Sequence, residues 1–346
     1  MLDQSASSPL HHFPFAAPAM IVAIPLDLAA IIRSWPAWIG SWLVHLSSSS
    51  SVVSLLGDWS ADPQVILGLA LTAVVYGAGL RELGRRGKLW RVVKRRHAAS
   101  FALGLFALAL ALLSPLDTYD TRLFSVHMIQ HLVLLEVVPP LLLLGKPIPV
   151  LLVGLPRGLV RAVARAHRRA SWFHHATRQL TSPLVAWPLF VGDLLLWHMP
   201  APYEATLTNL GVHLLEHICF LTTALLFWWV VIEPQPGRPR LHLGARLLHS
   251  VTAMLPMNLL GAIYTFSGVL WYPFYATQMP LQGWAPLDDQ RLGGIIMWLP
   301  GSLVFMGAGS ILFFMMLAAD ERAGIAADEA EVEAALSGDR RRAAGA

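Results

Sequence analysis

Two pairs of histidines with the same spacing are the residues of this sequence best suited to metal chemistry. His127 and His131 stand four residues apart in HMIQH, and His213 and His217 repeat that spacing in HLLEH. On an α-helix, residues four apart lie on one face, about one turn from each other. Two such pairs on facing helices would offer four imidazole nitrogens to one ion, and imidazole suits copper, zinc, iron or nickel.

Other side chains near these pairs extend the candidate site. His198 is a fifth histidine at the same predicted depth, and Glu216 stands on the same arc as the second pair. Met128 and Met257 add thioethers, which are soft ligands that favour Cu(I). We predict that the four paired imidazoles bind the ion, that His198 or a methionine exchanges with them, and that the remaining groups are accessory.

Three more polar residues are predicted to support the site. Asp193 stands about a turn and a half before His198, where it would orient a histidine, relay a proton or form a structural hydrogen bond. Asp289 and Gln290 precede the last apolar stretch, within reach of the histidines, and would also cap that helix. Glu136 is predicted to lie on a different helix face from the first histidine pair, so it is not counted as a ligand.

The amino-acid composition indicates the class of protein in which these residues lie. Of the 346 residues, 55% are hydrophobic and only 13% are charged, whereas ordinary globular domains are about 25% charged. This excludes an ordinary soluble enzyme, a disordered chain and a nucleic-acid-binding domain. The single cysteine, Cys219, excludes a disulfide framework and a CxxC motif. The sequence therefore predicts an all-α protein that crosses a membrane several times.

Seven apolar stretches are long enough to cross a bilayer as helices, which takes about 17–25 residues. They cover residues 64–80, 98–113, 123–144, 183–199, 209–232, 246–266 and 293–317. Aromatic residues near their ends, Tyr272 among them, are interpreted as an interfacial belt. We predict a bundle of seven transmembrane helices.

Basic residues between these stretches predict the orientation of the bundle. Eighteen Lys and Arg residues fall on one side, in the loops after the first, third and fifth stretches, and only Arg122 and Arg291 fall on the other. The positive-inside rule places the eighteen in the cytoplasm. The chain would then enter the first span from outside and end in the cytoplasm, with the five histidines toward the outer face. The net charge of +4 reflects this topology, with affinity for anionic lipid as a by-product.

The predicted topology divides the chain into three parts. Residues 1–60 form an outer-side segment, residues 61–320 form the transmembrane domain, and residues 321–346 form a polar cytoplasmic tail that begins as a short helix. The apolar stretch 13–32 contains three prolines and Asp27. It is expected to lie at the outer interface, and an eighth, irregular span is the alternative.

Three long runs of sequence resemble a known family. They are HMIQHLVLLEVVPPLLLLGKP (127–147), LWHMPAPYEATLTNLGVHLLEHICFLTTALLFWWVVI (196–232) and DQRLGGIIMWLPG (289–301). In matching order over about residues 60–320, the chain is similar to the CtaG family of seven-helix bacterial factors for cytochrome c oxidase assembly. The family pattern falls on His127, His131, His198, His213, Glu216, His217, Asp289 and Gln290.

The resemblance implies a multi-pass protein of the bacterial cytoplasmic membrane that helps to build a haem-copper oxidase. Our leading hypothesis is a non-enzymatic factor that holds copper, as Cu(I), at its outer face and presents it to an oxidase subunit. The first alternative is a haem-binding protein with two histidines as axial ligands. A copper transporter and a scaffold whose histidines only form hydrogen bonds are the others. HLLEH also matches a zinc-peptidase pattern, but no third ligand or cleft accompanies it.

Overall fold

Helices account for every regular element of the described chain. The computed structural model describes residues 57–169, 171–234, 241–278 and 285–344. The first helices are α1 (Pro63–Arg85), α2 (Leu89–Val92), α3 (Arg95–Leu113), α4 (Pro115–Tyr119), α5 (Phe124–Leu132), a π-helical turn (Val133–Val137), α6 (Val138–Leu144) and α7 (Pro147–Gly154). They are followed by α8 (Arg157–Arg169), α9 (Ser171–Leu180), α10 (Pro183–Trp197), α11 (Pro200–Thr208), α12 (Leu210–Ile232), α13 (Leu243–Phe266), α14 (Phe274–Thr277) and α15 (Pro286–Ala344).

Six helical segments within the described residues are long and apolar enough to cross a membrane. They are Pro63–Arg85, Arg95–Tyr119, Phe124–Leu144, Leu210–Ile232, Leu243–Phe266 and Pro286–Glu331. Each coincides with one of the predicted stretches. The remaining predicted span is a bent pair of helices, α10 and α11, so the number of candidate spans is six, or up to seven if that pair counts as one.

The bent pair differs from the straight span predicted over residues 183–199. Helix α10 ends at Trp197, and α11 starts at Pro200 with its axis turned by 70°. Met199 is extended, with φ −70° and ψ 144°. The cause is local, because a residue before proline is disfavoured in the helical conformation and proline itself cannot donate to the preceding turn. His198 therefore lies at a break between helices rather than inside a span.

The third span contains a second irregularity. Sequence analysis places a double proline, Pro139-Pro140, in this span, and proline is expected to kink or end a helix. The structure instead continues the helix to Leu144 and widens the turn just before the prolines into a π-helix over Val133–Val137. A π-turn changes the hydrogen-bonding register where proline removes donors. Glu136 lies in this turn and points into the bundle, where it is buried.

Close backbone contacts hold the first helices of the bundle together. A Cβ atom on Gly79 of α1 would lie 2.0 Å from the carbonyl oxygen of Val150 in α7. In the same way, a Cβ on Gly154 would lie 2.0 Å from the carbonyl oxygen of Val75. Such contacts are available only to glycine, and small residues commonly mediate helix packing in membranes.

The buried core of the described residues has three parts: a group around Tyr76 and Phe101 among the first helices, and two further groups with the histidines between them. One of these two groups is centred on Phe190, Phe220 and Phe227, and the other is an aromatic group that includes Phe124 and Tyr203. Many large apolar side chains point outward from the helices, as expected for contact with lipid. The histidine pairs therefore lie inside the bundle, enclosed by aromatic rings on both sides.

The structure describes the C-terminal end of the chain much more fully than the N-terminal end. Of the predicted outer-side segment 1–60, only residues 57–60 are described, so the apolar stretch 13–32 lies outside the described residues. At the other end, residues 321–344 are helical, as expected for the start of the polar tail, but they continue the helix of the last span instead of forming a short helix. Helix α15 runs without interruption from Pro286 to Ala344, because the sequence after the last span has no proline and few other helix-breaking residues.

Candidate metal centre

The structure brings all five predicted histidines into one buried group. Helices α5 and α12 begin at the same end of the bundle, and their first turns face each other. The ring centroids of His127 and His213 are 5.4 Å apart, and those of His131 and His217 are 6.1 Å apart. His198, at the break after α10, lies 5.6 Å from His131. Helical spacing predicts that the two histidines of each pair share one helix face, and the structure adds that the two faces meet.

Glu216 occupies the centre of this group rather than its edge. Its two carboxylate oxygens lie 3.6 Å from Nε2 of His127 and 3.6 Å from Nε2 of His131. The two Nε2 atoms are themselves 2.8 Å apart. With His217, these residues offer four ligand atoms that all lie within 4.8 Å of one another. We call these four residues the inner quartet.

Three members of the quartet are spaced nearly as the ligands of a tetrahedral metal site would be. Nitrogen ligands bound at about 2.0–2.1 Å in a tetrahedron lie about 3.3 Å from each other. The measured separations between His127, His131 and Glu216 are 2.8 and 3.6 Å, on either side of that value. Shifts of a few tenths of an ångström would thus place these three groups around one ion. Sequence analysis assigned Glu216 an accessory role, whereas the geometry places it among the ligand atoms.

Asp120 forms a second group that sequence analysis did not detect. Its Oδ2 atom lies 3.3 Å from Nε2 of His213, and these two residues together with His127 offer three ligand atoms within 4.8 Å. Burial raises the pKa of Asp120 to about 7, and the nearby charge of His127 lowers it in part. His127 belongs to both groups, so ligand atoms continue without a gap from Asp120 to the inner quartet.

Several polar atoms in the two groups are buried without a hydrogen-bond partner among the described residues. They are Oδ2 of Asp120, Nε2 of His213 and His217, Nδ1 of His127 and His131, and both carboxylate oxygens of Glu216. A buried polar atom left unpaired costs about 1–3 kcal/mol. Imidazoles and carboxylates that meet in this way are a donor set for a borderline transition metal such as copper or zinc. The residues present therefore fit a metal ion.

Asp289 and Gln290 do not reach the histidines. The carboxylate of Asp289 accepts hydrogen bonds from the backbone N–H of Phe124 at 2.6 Å and of Ser125 at 3.4 Å, and from the Ser125 hydroxyl. It therefore caps α5, the helix that carries the first histidine pair, rather than its own helix. Gln290 accepts from the backbone N–H of Trp271 at 2.7 Å and donates to the Val269 carbonyl at 3.0 Å, which fixes the loop after α13.

Asp193 is also separate from the group. Its carboxylate accepts a hydrogen bond of 2.7 Å from the Thr223 hydroxyl and so links α10 to α12.

The two predicted methionines lie nearer to the histidines than Asp193 does. Met128 and Met257 are buried and, with His131 and His198, line a small cavity next to the inner quartet. The structure therefore places both methionines beside the histidines and leaves Asp193 between two helices.

Comparison with known proteins decides the family. The sequence model of the family "Cytochrome c oxidase caa3 assembly factor (Caa3_CtaG)" matches residues 74–319. The chain belongs to this family. The match confirms the resemblance seen in the sequence, and it includes every residue of both ligand groups.

The relatives of this chain include longer proteins. Uncharacterized proteins of Mycobacterium bovis and Mycobacterium tuberculosis are each 28% identical to it over 283 residues, which is 80% of this chain and 42% of theirs. An uncharacterized protein of Mycobacterium leprae is 26% identical over 279 residues, 79% of this chain and 41% of its own. The chain spans about two fifths of the length of these relatives. No solved structure matches it.

Buried tyrosines also surround the site, and sequence analysis missed them. The hydroxyls of Tyr264 and Tyr272 both donate to the backbone carbonyl of His198, at 3.0 and 2.7 Å. The Tyr275 hydroxyl donates to the backbone carbonyl of Asp120 at 3.0 Å. Tyr272 is thus fully buried and not part of an interfacial belt. These bonds fix the backbone at two residues that bear ligand atoms, and sequence position alone gave no signal of them.

A further buried histidine lies outside the site. His249 is in α13, and its ring stacks on Phe227 at a centroid distance of 4.6 Å. Phe227 follows His217 by ten residues on α12, which corresponds to about 15 Å along a helix. His249 was not among the predicted ligands, and its position in the apolar core is that of a packed side chain.

Proposed function

We propose that this chain receives copper at the inner quartet and delivers it to a haem-copper oxidase while that oxidase is assembled. The observation that supports the proposal is the position of Glu216, a buried carboxylate held 3.6 Å from two imidazole nitrogens. A buried carboxylate is costly in a membrane bundle unless it has a cationic partner. Membership of an oxidase assembly family supplies the biological context.

Copper is favoured over other borderline metals by the surroundings of the site. Imidazole and carboxylate alone fit copper, zinc and iron, whereas thioether sulfur selects Cu(I). Met128 and Met257 lie directly beside the quartet, around the same cavity as His131. In this proposal copper is cargo: it enters the quartet, stays bound by few ligands, and leaves to the partner by ligand exchange.

The packing around the histidines does not support the haem alternative. A porphyrin requires a flat space comparable to the 300–1,000 Å³ pockets that hold ligands of drug size. The cavity that touches His131 and His198 is about 10 Å³. Phe220 and Tyr203 pack on the remaining sides, with ring centroids 4.7 Å from His131 and 5.1 Å from His127.

The proposed topology has seven spans, with the bent pair counted as one. The eighteen basic residues of the three loops would then face the cytoplasm and the histidines the outer side of the bacterial cytoplasmic membrane. Two structural features are compatible with this arrangement. Both ligand-bearing helices begin at the same end of the bundle, and the bend at His198 lies at that end as well. Copper taken up there would not need to cross the membrane to reach a copper centre on the outer side.

The partner in this proposal is an oxidase subunit, and the role is non-enzymatic. The test uses a bacterial strain from which the gene for this chain is deleted. We expect the wild-type chain to restore oxidase activity and oxidase copper content, and we expect Glu216→Gln and His131→Ala to restore neither. Asp193→Asn, which alters a carboxylate outside the quartet, is the matched control and should restore both.

Immunoblots of membranes provide the abundance of each variant, so that a chain that fails to accumulate is not mistaken for one that fails to deliver copper. Full oxidase copper in a strain that carries Glu216→Gln at normal abundance would contradict the proposal.

A further inference from the structure

We propose that this chain has a second Cu(I) site, deeper in the bundle than the inner quartet, at the cavity between α5, α10, α13 and α15. The inference rests on the proposed function, because it adds a site that stores copper in exchange with the quartet until the quartet delivers it. Nine residues line this cavity, and six of them carry candidate ligand atoms: Met128, Met257, Met297, His131, His198 and Glu136. We call this the methionine chamber.

Three thioethers meet at this cavity from three different helices. Met128 lies in α5, Met257 in α13 and Met297 in α15, and all three are buried. A methionine in an apolar helix is usually a packing residue. Three that converge on one cavity together with buried imidazole and carboxylate groups differ from that pattern, because an apolar core would not bury those polar groups beside them. Thioether sulfur selects Cu(I), and imidazole nitrogen also suits copper.

His198 is held with one ring nitrogen ready to accept a metal. Its Nδ1 atom lies 2.7 Å from the backbone carbonyl oxygen of Leu194. A carbonyl oxygen only accepts, so Nδ1 must carry the proton, and the Nε2 of the neutral ring then has a free lone pair. Nε2 is buried and has no hydrogen-bond partner among the described residues. A histidine whose other nitrogen donates to a backbone carbonyl is the usual arrangement of a metal ligand.

Glu136 adds a carboxylate at the far side of the chamber. One of its oxygens, Oε2, is buried and without a hydrogen-bond partner in the described part of the chain. The space beside the carboxylate exists because residue 301 is glycine. A Cβ atom there would lie 2.8 Å from Oε1 of Glu136 and 3.1 Å from Sδ of Met257. Gly301 therefore leaves room where a carboxylate and a thioether approach each other.

His131 connects the chamber to the inner quartet. It contributes to the quartet through Nε2, it lines the chamber, and its ring centroid is 5.6 Å from that of His198. Copper would thus move by ligand exchange from a nitrogen and oxygen set to a sulfur-rich set, with no change in oxidation state. The cavity of about 10 Å³ is large enough for about one water-sized atom and too small for an organic ligand.

The test uses the full-length chain produced with selenomethionine, which makes the methionine ligands visible. We would load the purified protein anaerobically with one and then two equivalents of Cu(I) and record X-ray absorption at the copper and selenium edges. We expect two copper ions per chain and a copper–selenium contact from the more deeply bound ion. Copper–selenium contacts exclude the single cysteine, Cys219, as the source of the signal.

Two variants identify the residues. Met128→Leu/Met257→Leu/Met297→Leu removes three sulfurs with little change in volume, and we expect it to bind one copper and to lose the selenium contact. Gly301→Ala should also bind one copper, because its methyl group would crowd Oε1 of Glu136 and Sδ of Met257 and displace these two candidate ligands. Met306→Leu/Met315→Leu, at two exposed positions, is the matched control and should behave as the wild-type chain.

The outcomes separate this inference from the proposed function. A chain that binds one copper, loses it in Glu216→Gln and shows no copper–selenium contact would overturn the methionine chamber and leave the proposed function standing. Two copper ions without any selenium contact would also overturn the chamber. A wild-type chain that binds no Cu(I) would overturn both.

Discussion

The Nε2 atoms of His127 and His131 lie 2.8 Å apart, one helical turn from each other in the buried start of α5. At this distance one imidazole donates a proton to the other. A metal ion between them replaces that proton, because both nitrogens then act as lone-pair donors. In the proposed function, the site would therefore be assembled before the ion arrives, and binding would need only small shifts of two side chains.

Removal of the Glu216 charge tests the role of the carboxylate at the centre of the quartet. Glu216→Gln keeps the size of the side chain and replaces a negative oxygen with an amide. We expect the affinity for Cu(I) to fall by about 10-fold to 100-fold, the range seen when groups that support a metal site are altered. Competition with a colorimetric Cu(I) chelator measures this change.

Asp193→Asn is the control for that measurement. Its carboxylate bonds to Thr223 and lies outside the quartet, so its affinity for Cu(I) should equal that of the wild-type chain. Equal losses of affinity in the two variants would indicate a general loss of structure rather than a lost ligand.

A second prediction concerns Asp289 and the helix that it caps. Asp289→Asn weakens the hydrogen bonds to the backbone of Phe124 and Ser125 and removes the negative charge at the start of α5. We expect a free energy of unfolding lower by about 1–2 kcal/mol, as for lost helix caps elsewhere. Thermal or denaturant unfolding in detergent measures it. The neighbouring Asp288→Asn should change stability far less, since Asp288 pairs with Arg291 at a half-exposed position.

A third prediction tests the glycine contact between α1 and α7. Gly79→Ala would place a methyl group 2.0 Å from the Val150 carbonyl oxygen, so the helices must separate. Overpacking of this kind costs about 1–3 kcal/mol. Gly77→Ala, two residues earlier with nothing within 4 Å of the added atom, is the matched control and should be neutral or slightly stabilising. Equal midpoints of unfolding for both variants would contradict the close approach.

A fourth prediction tests orientation. In a Cys219→Ser background, single cysteines are introduced at the exposed positions Lys88, in a basic loop, and Thr277, in the loop with α14. A membrane-impermeant thiol reagent applied to spheroplasts should label Thr277→Cys and should label Lys88→Cys only after the membrane is opened. The reverse pattern would place the histidines at the cytoplasmic side and contradict the proposed route of copper.

The sequence predicted those features that depend on local periodicity. The lengths of the apolar stretches predicted the positions of the six candidate spans and of the bent segment. The four-residue spacing predicted that the two histidines of each pair share one helix face. The bend after Trp197 was not predicted, although Pro200 accounts for it once the structure is known. A proline reveals that a helix changes direction and gives no information on which side chains the new direction brings together.

Features that depend on contacts between distant segments could not be predicted in this way. Asp120 reaches His213 because the loop before α5 folds over the start of α12, and nothing in the spacing of those residues indicates that fold. The central position of Glu216 depends on the rotation of α12 relative to α5. Asp289 shows the same limit, because it was correctly expected to cap a helix and caps a different one.

The measurement that tests the central claim most directly is the copper content of the purified full-length chain after anaerobic loading with Cu(I) and removal of unbound metal. The variant His127→Ala/His131→Ala/His213→Ala/His217→Ala is measured beside it, with its helical content checked by circular dichroism. The account predicts copper bound by the wild-type chain and lost from the quartet in the folded variant. Equal copper in both chains, or none in either, would contradict it.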